Sequence, residues 1–316
     1  MTDLTLSSPW PTRFMAWVHQ RFALPNALLF FILYITAAVV ARSAAGGEIA
    51  LGGLDVLACV VTWSYFLLLR VFDEHKDYEL DCLNHPQRVL QSGLITLDHL
   101  KIVGGVTLVL QLGFSLARDG GFGPTMTAWA MMFAWTCLMG KEFFIEEWLN
   151  KHLTWYAVSH MLVMPLTVWW LANMAVPGIE LNLTLQSLML LAFISGFCFE
   201  ITRKTKGPEE ERDTIESYSR IFGTQGSAAV VMLLVTAMVA NQIWLITLLS
   251  PEHFPIWAGV VLIVFWLMGI KQLLAFVKSP STAGREKNEK SVALTLLAGY
   301  AVVIGVVLSL HGVVLA

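Results

Sequence analysis

Residues 69–100 read LRVFDEHKDYELDCLNHPQRVLQSGLITLDHL. An apolar run ends here in a dense group of carboxylates, Asp73, Glu74, Asp77, Glu79 and Asp81. Asp73, Asp77 and Asp81 recur at intervals of four, so a helix through them carries all three along one side. One reading is a solvated amphipathic loop helix, which accounts for mixed charge such as Asp73-Glu74-His75-Lys76-Asp77. The other is a magnesium and diphosphate site. Magnesium takes hard oxygen ligands, commonly a few carboxylates plus substrate phosphate oxygens. Arg70, Lys76 and Arg88 stand close by in the chain to pair with the phosphates themselves. The place of this stretch at the end of a span, and a second charged loop further along, favour the second reading.

Composition sets the frame around it. The chain has 316 residues, 56% hydrophobic and 14% charged, with 12 tryptophans, and a mean hydropathy of +0.66. Soluble domains carry about a quarter charged residues, so an integral membrane protein in a lipid bilayer is expected. The net charge is −3, and no basic patch interleaved with aromatics occurs, so no nucleic-acid partner is expected. The four cysteines, Cys59, Cys82, Cys137 and Cys198, have no metal-binding spacing, and three lie in apolar segments. They read as small buried hydrophobes.

A spanning helix needs about 20 mostly apolar residues. Nine such stretches are expected, at 24–42, 53–71, 100–118, 123–140, 154–176, 184–202, 225–248, 255–277 and 291–314. The fold class is therefore all-α, a single polytopic domain over residues 1–316 with charged cap loops. Arg13, Arg21 and the first apolar run imitate a signal peptide, but the preceding segment is long for one. A retained first span is the reading taken. Before it, Trp10, Phe14 and Trp17 suggest a short surface helix with these rings toward lipid. All but two of the 20 basic residues, Arg42 and Arg118, fall on one side of this arrangement. The positive-inside rule then places the N-terminus in the cytoplasm and the C-terminus on the opposite side. The long loops lie on that same basic side, which points to the 73–99 and 203–224 segments for function.

The second loop is FEITRKTKGPEEERDTIESYSRIFG, Phe199–Gly223. Glu200 falls at the end of an apolar helix, where an unpaired carboxylate is costly. It is either ion-paired with Arg203 or Lys204, or a second metal ligand, and both readings stay open.

The first stretch resembles the NDxxDxxxD motif of the UbiA-type intramembrane prenyltransferases, as Asp73-Glu74-x-x-Asp77-x-x-x-Asp81. His85–Ile95 is similar to that family's arginine-bearing continuation, with Arg88 as the arginine. The family also has nine transmembrane helices with acidic motifs after the second and sixth, which matches nearly the whole chain. The resemblance implies a prenyl diphosphate donor held through Mg2+ in a central cavity, ionisation to an allylic cation, and capture by a lipophilic or aromatic acceptor. Asp73, Asp77 and Asp81 are then catalytic carboxylates, and Asp73, Glu74, Asp77 and Asp81 the metal ligands. The second motif departs from the pattern, because its three acidic positions fall on Arg203, Lys206 and Glu210. Glu200 and Glu210 are retained as metal candidates there, and Arg70, Lys76, Arg88, Arg203, Lys204 and Tyr218 as diphosphate contacts.

Asn26, Tyr156 and His160 complete the candidate pocket. Asn26 reads first as a helix-start residue, and His160 first as a hydrogen-bonded packing residue. Lys141, Glu142, Glu146 and Glu147 read as a cytoplasmic charged face, with room for one member in the cavity. Three other activities fit parts of the pattern: a UbiA-type terpene cyclase, a polyprenyl-phosphate phosphoribosyl-type transferase, and a transporter. No internal repeat of charged mid-helix segments supports the last.

Overall fold

In the computed structural model, which describes residues 4–24, 27–212 and 216–315, the chain is a bundle of long helices. In chain order they are α1 (Trp10–Arg21), α2 (Ala27–Ala44), α3 (Gly53–Lys76), α4 (Tyr78–Asn84), α5 (Leu97–Asp119), α6 (Pro124–Gly140), α7 (Glu146–Lys151), α8 (Leu153–Met161), α9 (Val163–Ala175), α10 (Leu183–Arg203), α11 (Tyr218–Leu249), α12 (Ile256–Lys278) and α13 (Thr282–His311). Among the described residues, 8 helices are long and apolar enough to cross a membrane, with α8 and α9 together making one. The remaining expected span forms as α6, which has 17 residues. At 1.5 Å per residue it is about 26 Å long, a little short of a hydrocarbon core of about 30 Å. The molecule is an all-α polytopic membrane protein. A two-residue parallel pairing of Ala50–Leu51 with Val314–Leu315 ties the first loop to the chain's end.

Local chemistry explains where the helices begin and end. Thr96, Asn182, Ser217 and Ser281 each accept a backbone N–H from the first turn of the helix that follows, which satisfies a donor the helix leaves open. Gly120 closes α5 in the left-handed conformation that glycine adopts without cost. Within α11, Gly223 (φ 69°, ψ 163°) breaks the helical path and kinks the helix after its first turn. Gly299 is needed for space, because a Cβ there would meet the Gln242 amide.

The main core runs through the bundle and gathers Tyr34, Tyr65, Met132, Trp170, Leu188 and Val306. α2 packs against α3, α9 and α13, while α10 packs on α11 and α12 on α13. At the end without the long loops, Asp55 accepts from Tyr34 and Arg42, each at 2.7 Å. One of the two basic residues on that side is therefore neutralised where it enters the bundle.

The helix α1 corrects one expectation. It forms where the aromatic spacing places it, but Trp17 is fully buried instead of facing lipid. It packs in a cluster with Val71, Leu90, Ile95 and Leu100. The reason is polar as well as apolar. Arg13 donates to the Leu94 carbonyl at 2.8 Å, and the Val89 N–H donates to Gln20 at 2.9 Å. These bonds hold α1 over the loop that follows α4. Trp10, stacked on Phe14, is exposed, as are Met15, His19 and Gln20 on the outer face of the helix.

Candidate functional site

α3 and α4 carry the first acidic group. The helix bends at Asp77, which ends α3 and precedes α4. The four-residue backbone bonding nevertheless continues, from Asp77 N–H to Asp73 and from Asp81 N–H to Asp77. The three aspartates thus keep successive turns, as their spacing predicts.

Their side chains divide into two sets. Glu74 is buried and ion-paired with Arg21, and Asp81 accepts from Arg88 at 2.6 Å with Arg21 at 3.4 Å. Glu74 thereby fastens α1 to α3, and Asp81 ties α1 and the following loop to α4. Asp73 lies 3.4 Å from Arg70 and lines a small cleft with Lys76, Tyr156 and His160. Asp77 makes no side-chain hydrogen bond or ion pair among the described residues. Burial, together with the neighbouring Asp81 charge, raises its carboxyl above the ordinary carboxylate range, against the pull of Lys76 and Arg21.

Facing this is a polar cluster built on a strained turn. Glu142, Phe143 and Phe144 all have positive φ, at 47°, 53° and 61°. Three consecutive non-glycine residues in the left-handed region cost about 1–2 kcal/mol each. The turn drives the Glu142 carboxylate inward, where it pairs with Lys76 and accepts from the Tyr156 hydroxyl at 3.2 Å. Lys76 also donates to that hydroxyl at 2.6 Å. His160 donates from Nδ1 to the Tyr156 carbonyl at 2.8 Å, and its Nε2 lies 3.3 Å from Glu142, off the line of a hydrogen bond. Burial raises the Glu142 carboxyl, but the adjacent His160 and Lys76 outweigh it and hold the group below its usual range.

Tyr156 joins the two halves of the site. Its ring lies 5.1 Å from the Lys76 ammonium and 5.3 Å from that of Lys204, within reach of cation–π attraction. The end of α10 is thereby brought to the end of α3.

The second loop behaves differently from the first. Glu200 binds Arg203 at 2.7 Å and Lys204 at 3.0 Å, so of its two open readings the ion pair is the one formed. Glu210 accepts from Arg285 on α13 at 2.8 Å and anchors the loop there. Tyr218 is buried and donates to the Leu153 carbonyl at 3.0 Å. Asn26 lies outside the described residues. Among those described, no three His, Cys, Asp or Glu side chains converge as a metal centre.

The donor set separates these carboxylates as magnesium ligands. Asp77, unpaired beside the loosely paired Asp73, offers hard oxygens whose charge a divalent cation would offset, so this pair fits magnesium. Glu74, Asp81, Glu200 and Glu210 are committed to arginine or lysine, and as placed do not fit.

An apolar cavity of about 440 Å³ lies between residues of α2, α3, α8, α9, α10 and α13. Phe30, Phe66, Met161, Met164 and Tyr300 line it, and Glu200 stands at its charged end. Two contributors escaped sequence reasoning in their roles. Arg21 was legible only as one more positive charge. Glu142 belonged to a run of charges in which nothing marked it as the member turned inward.

No family model and no curated protein matches the chain. Among solved structures, that of a digeranylgeranylglyceryl phosphate synthase in membranes is similar, with a TM-score of 0.64 over 94% of this chain and 99% of that one, at 17% identity. That likeness, at such low identity, establishes a shared fold.

Proposed function

We propose that this protein is an intramembrane prenyltransferase of the UbiA type, moving a prenyl group from its diphosphate to a lipophilic or aromatic acceptor. One observation carries the reading: an apolar cavity of about 440 Å³ ends at Glu200, whose carboxylate holds Arg203 and Lys204. That volume lies in the range of small-molecule sites, about 300–1,000 Å³. The pairing suits a ligand with a doubly charged head and a hydrocarbon tail. The fold shared with a digeranylgeranylglyceryl phosphate synthase supports it, as does the first motif's resemblance. The charged end is assigned to the cytoplasm on the distribution of basic residues.

In this reading the bond between the donor's C1 and its diphosphate oxygen breaks, and the electron pair leaves with the diphosphate. The allylic cation bonds to the acceptor's nucleophilic atom, and the acceptor loses a proton. Lys76, Lys204, Arg203 and Arg70 stand where the leaving charge develops, and preorganised cations there stabilise it without reorganisation. Glu142 and Glu200 hold those cations in place before substrate arrives. Magnesium at Asp73 and Asp77 would supply further neutralisation of the diphosphate. The cavity's aromatic and methionine walls exclude water from the cation. His160 and Tyr156 line the same small cleft as Asp73 and Lys76.

The test is to incubate purified protein with magnesium and a panel of prenyl diphosphates, with and without aromatic and lipid acceptors. Pyrophosphate release that depends on acceptor and stops with chelator is expected. Release without acceptor would indicate cyclisation instead, and no release from any donor would remove the reading.

A further inference from the structure

A second cavity, of about 640 Å³, lies on the other side of Phe72, between α3, α5 and α6. Its walls are apolar, from Leu68, Val71, Leu108 and Cys137, and its head is cationic, with Lys101 and Lys141 at the charged end of the bundle. Small residues make the space. A Cβ on Gly105 would meet nothing within 4 Å, and one on Gly104 would already touch Val71 and Leu68. Leu108 lies seven residues along α5 from Lys101, so the groove runs about 10 Å below the charges.

Two features of the head call for a ligand. Lys141 makes no side-chain hydrogen bond or ion pair among the described residues, and Lys101 is paired only with the exposed Asp98, at 2.8 Å. An exposed pair of that kind is worth little and yields easily to a better partner. The second feature is independent of charge. His75 donates from Nδ1 to the Val71 carbonyl at 2.8 Å, which leaves Nε2 buried and without a partner on the wall of this cavity. A buried polar atom is rarely left unmatched. With Nδ1 as the donor, Nε2 of the neutral ring is an acceptor, and it is placed to take a hydrogen bond from a headgroup hydroxyl.

We propose that this groove is a binding site for an anionic phospholipid of the bilayer. The phosphate lies between Lys101 and Lys141, a headgroup hydroxyl reaches His75, and an acyl chain fills the channel past Gly104 and Gly105. Basic pockets between transmembrane helices on the cytoplasmic side are suited to such headgroups. The site is distinct from the proposed catalytic cleft, though Phe72, Lys76 and Gly140 border both.

Native mass spectrometry of the full chain in detergent tests it, with phosphatidylglycerol, phosphatidylcholine and inorganic phosphate as probes. The expected result is one phosphatidylglycerol retained at least tenfold more strongly than phosphatidylcholine. Lys101→Gln with Lys141→Gln should erase that preference, and Gly105→Leu should block retention by filling the groove. Thermal melting identifies any variant that has lost its fold, and the two routes are independent of each other. Equal retention of the two lipids, wild-type retention in both folded variants, or displacement of the lipid by inorganic phosphate at matched concentration would each overturn the proposal.

Discussion

Lys76, on the last turn of α3, is ion-paired with Glu142 from a left-handed turn, under the ring of Tyr156. The pair joins segments far apart in the chain and sits at the border of the proposed catalytic cleft. Glu142 is almost wholly buried, while Lys76 keeps a 30% exposed side chain. Removing the lysine therefore strands a buried carboxylate. Lys76→Met is expected to destabilise the protein by about 2–4 kcal/mol, less than for a pair buried on both sides. Adding Glu142→Gln should recover a good part of the loss, as a double-mutant cycle followed by thermal unfolding would read out. Additive losses would show that the pair is not coupled.

The same carboxylate makes stability depend on pH. Glu142 titrates below its ordinary range when folded. Its contribution is present above the unfolded value and is lost as pH falls through the folded one. Melting temperature should therefore drop on acidification below the usual glutamate range, and Glu142→Gln should flatten that limb. An identical acid limb in wild type and variant would assign it to other groups.

Arg21 is the tie between α1 and the first acidic group, through Glu74 and Asp81. Arg21→Ala is expected to cost about 2–4 kcal/mol, because the Glu74 side chain is left buried with its charge unmatched. Hydrogen exchange across residues 10–21 should quicken more than exchange in α11. Uniform quickening would mean that Arg21 stabilises the whole bundle and not this local attachment.

The two acidic groups should respond differently to neutralisation. Asp77→Asn is expected to lower prenyl transfer at least 100-fold, in keeping with loss of one key electrostatic contact, and to raise the magnesium concentration needed. Glu210→Gln should leave turnover within a few-fold, since that side chain is bonded to Arg285. Steady-state pyrophosphate release over a magnesium series checks both. Equal losses in the two variants would restore a two-sided metal site.

Filling the apolar cavity should set the length of prenyl chain accepted. A Cβ at Gly196 would come within 3.0 Å of the Met161 sulfur and 3.2 Å of Met164. Both methionines are flexible, so Gly196→Leu should fold while taking up cavity space. Its kcat/KM for a long donor is expected to fall about tenfold relative to a short one. An unchanged ratio would place the tail elsewhere.

Hydropathy alone determined the expected spans to within a few residues in most cases, because about 20 consecutive apolar residues have few other fates in lipid. The start of the last span was an exception: α13 begins at Thr282, with a charged first part that no apolar window detects. The four-residue spacing of Asp73, Asp77 and Asp81 likewise survived a bend in the helix. What spacing could not determine is which carboxylates are already spent. Glu74 and Asp77 lie three apart in one motif, yet one is bound by Arg21 and the other is free of partners among the described residues. Arg21 comes from a helix whose docking is decided by Trp17 and by bonds to the 89–94 loop. Glu142 is a similar case, since its inward direction follows from three residues held at positive φ, a conformation that only surrounding contacts sustain. The ion pairs that divide this site are long-range and each needs both partners in position. Tertiary packing therefore decided them, while the local pattern decided the helices.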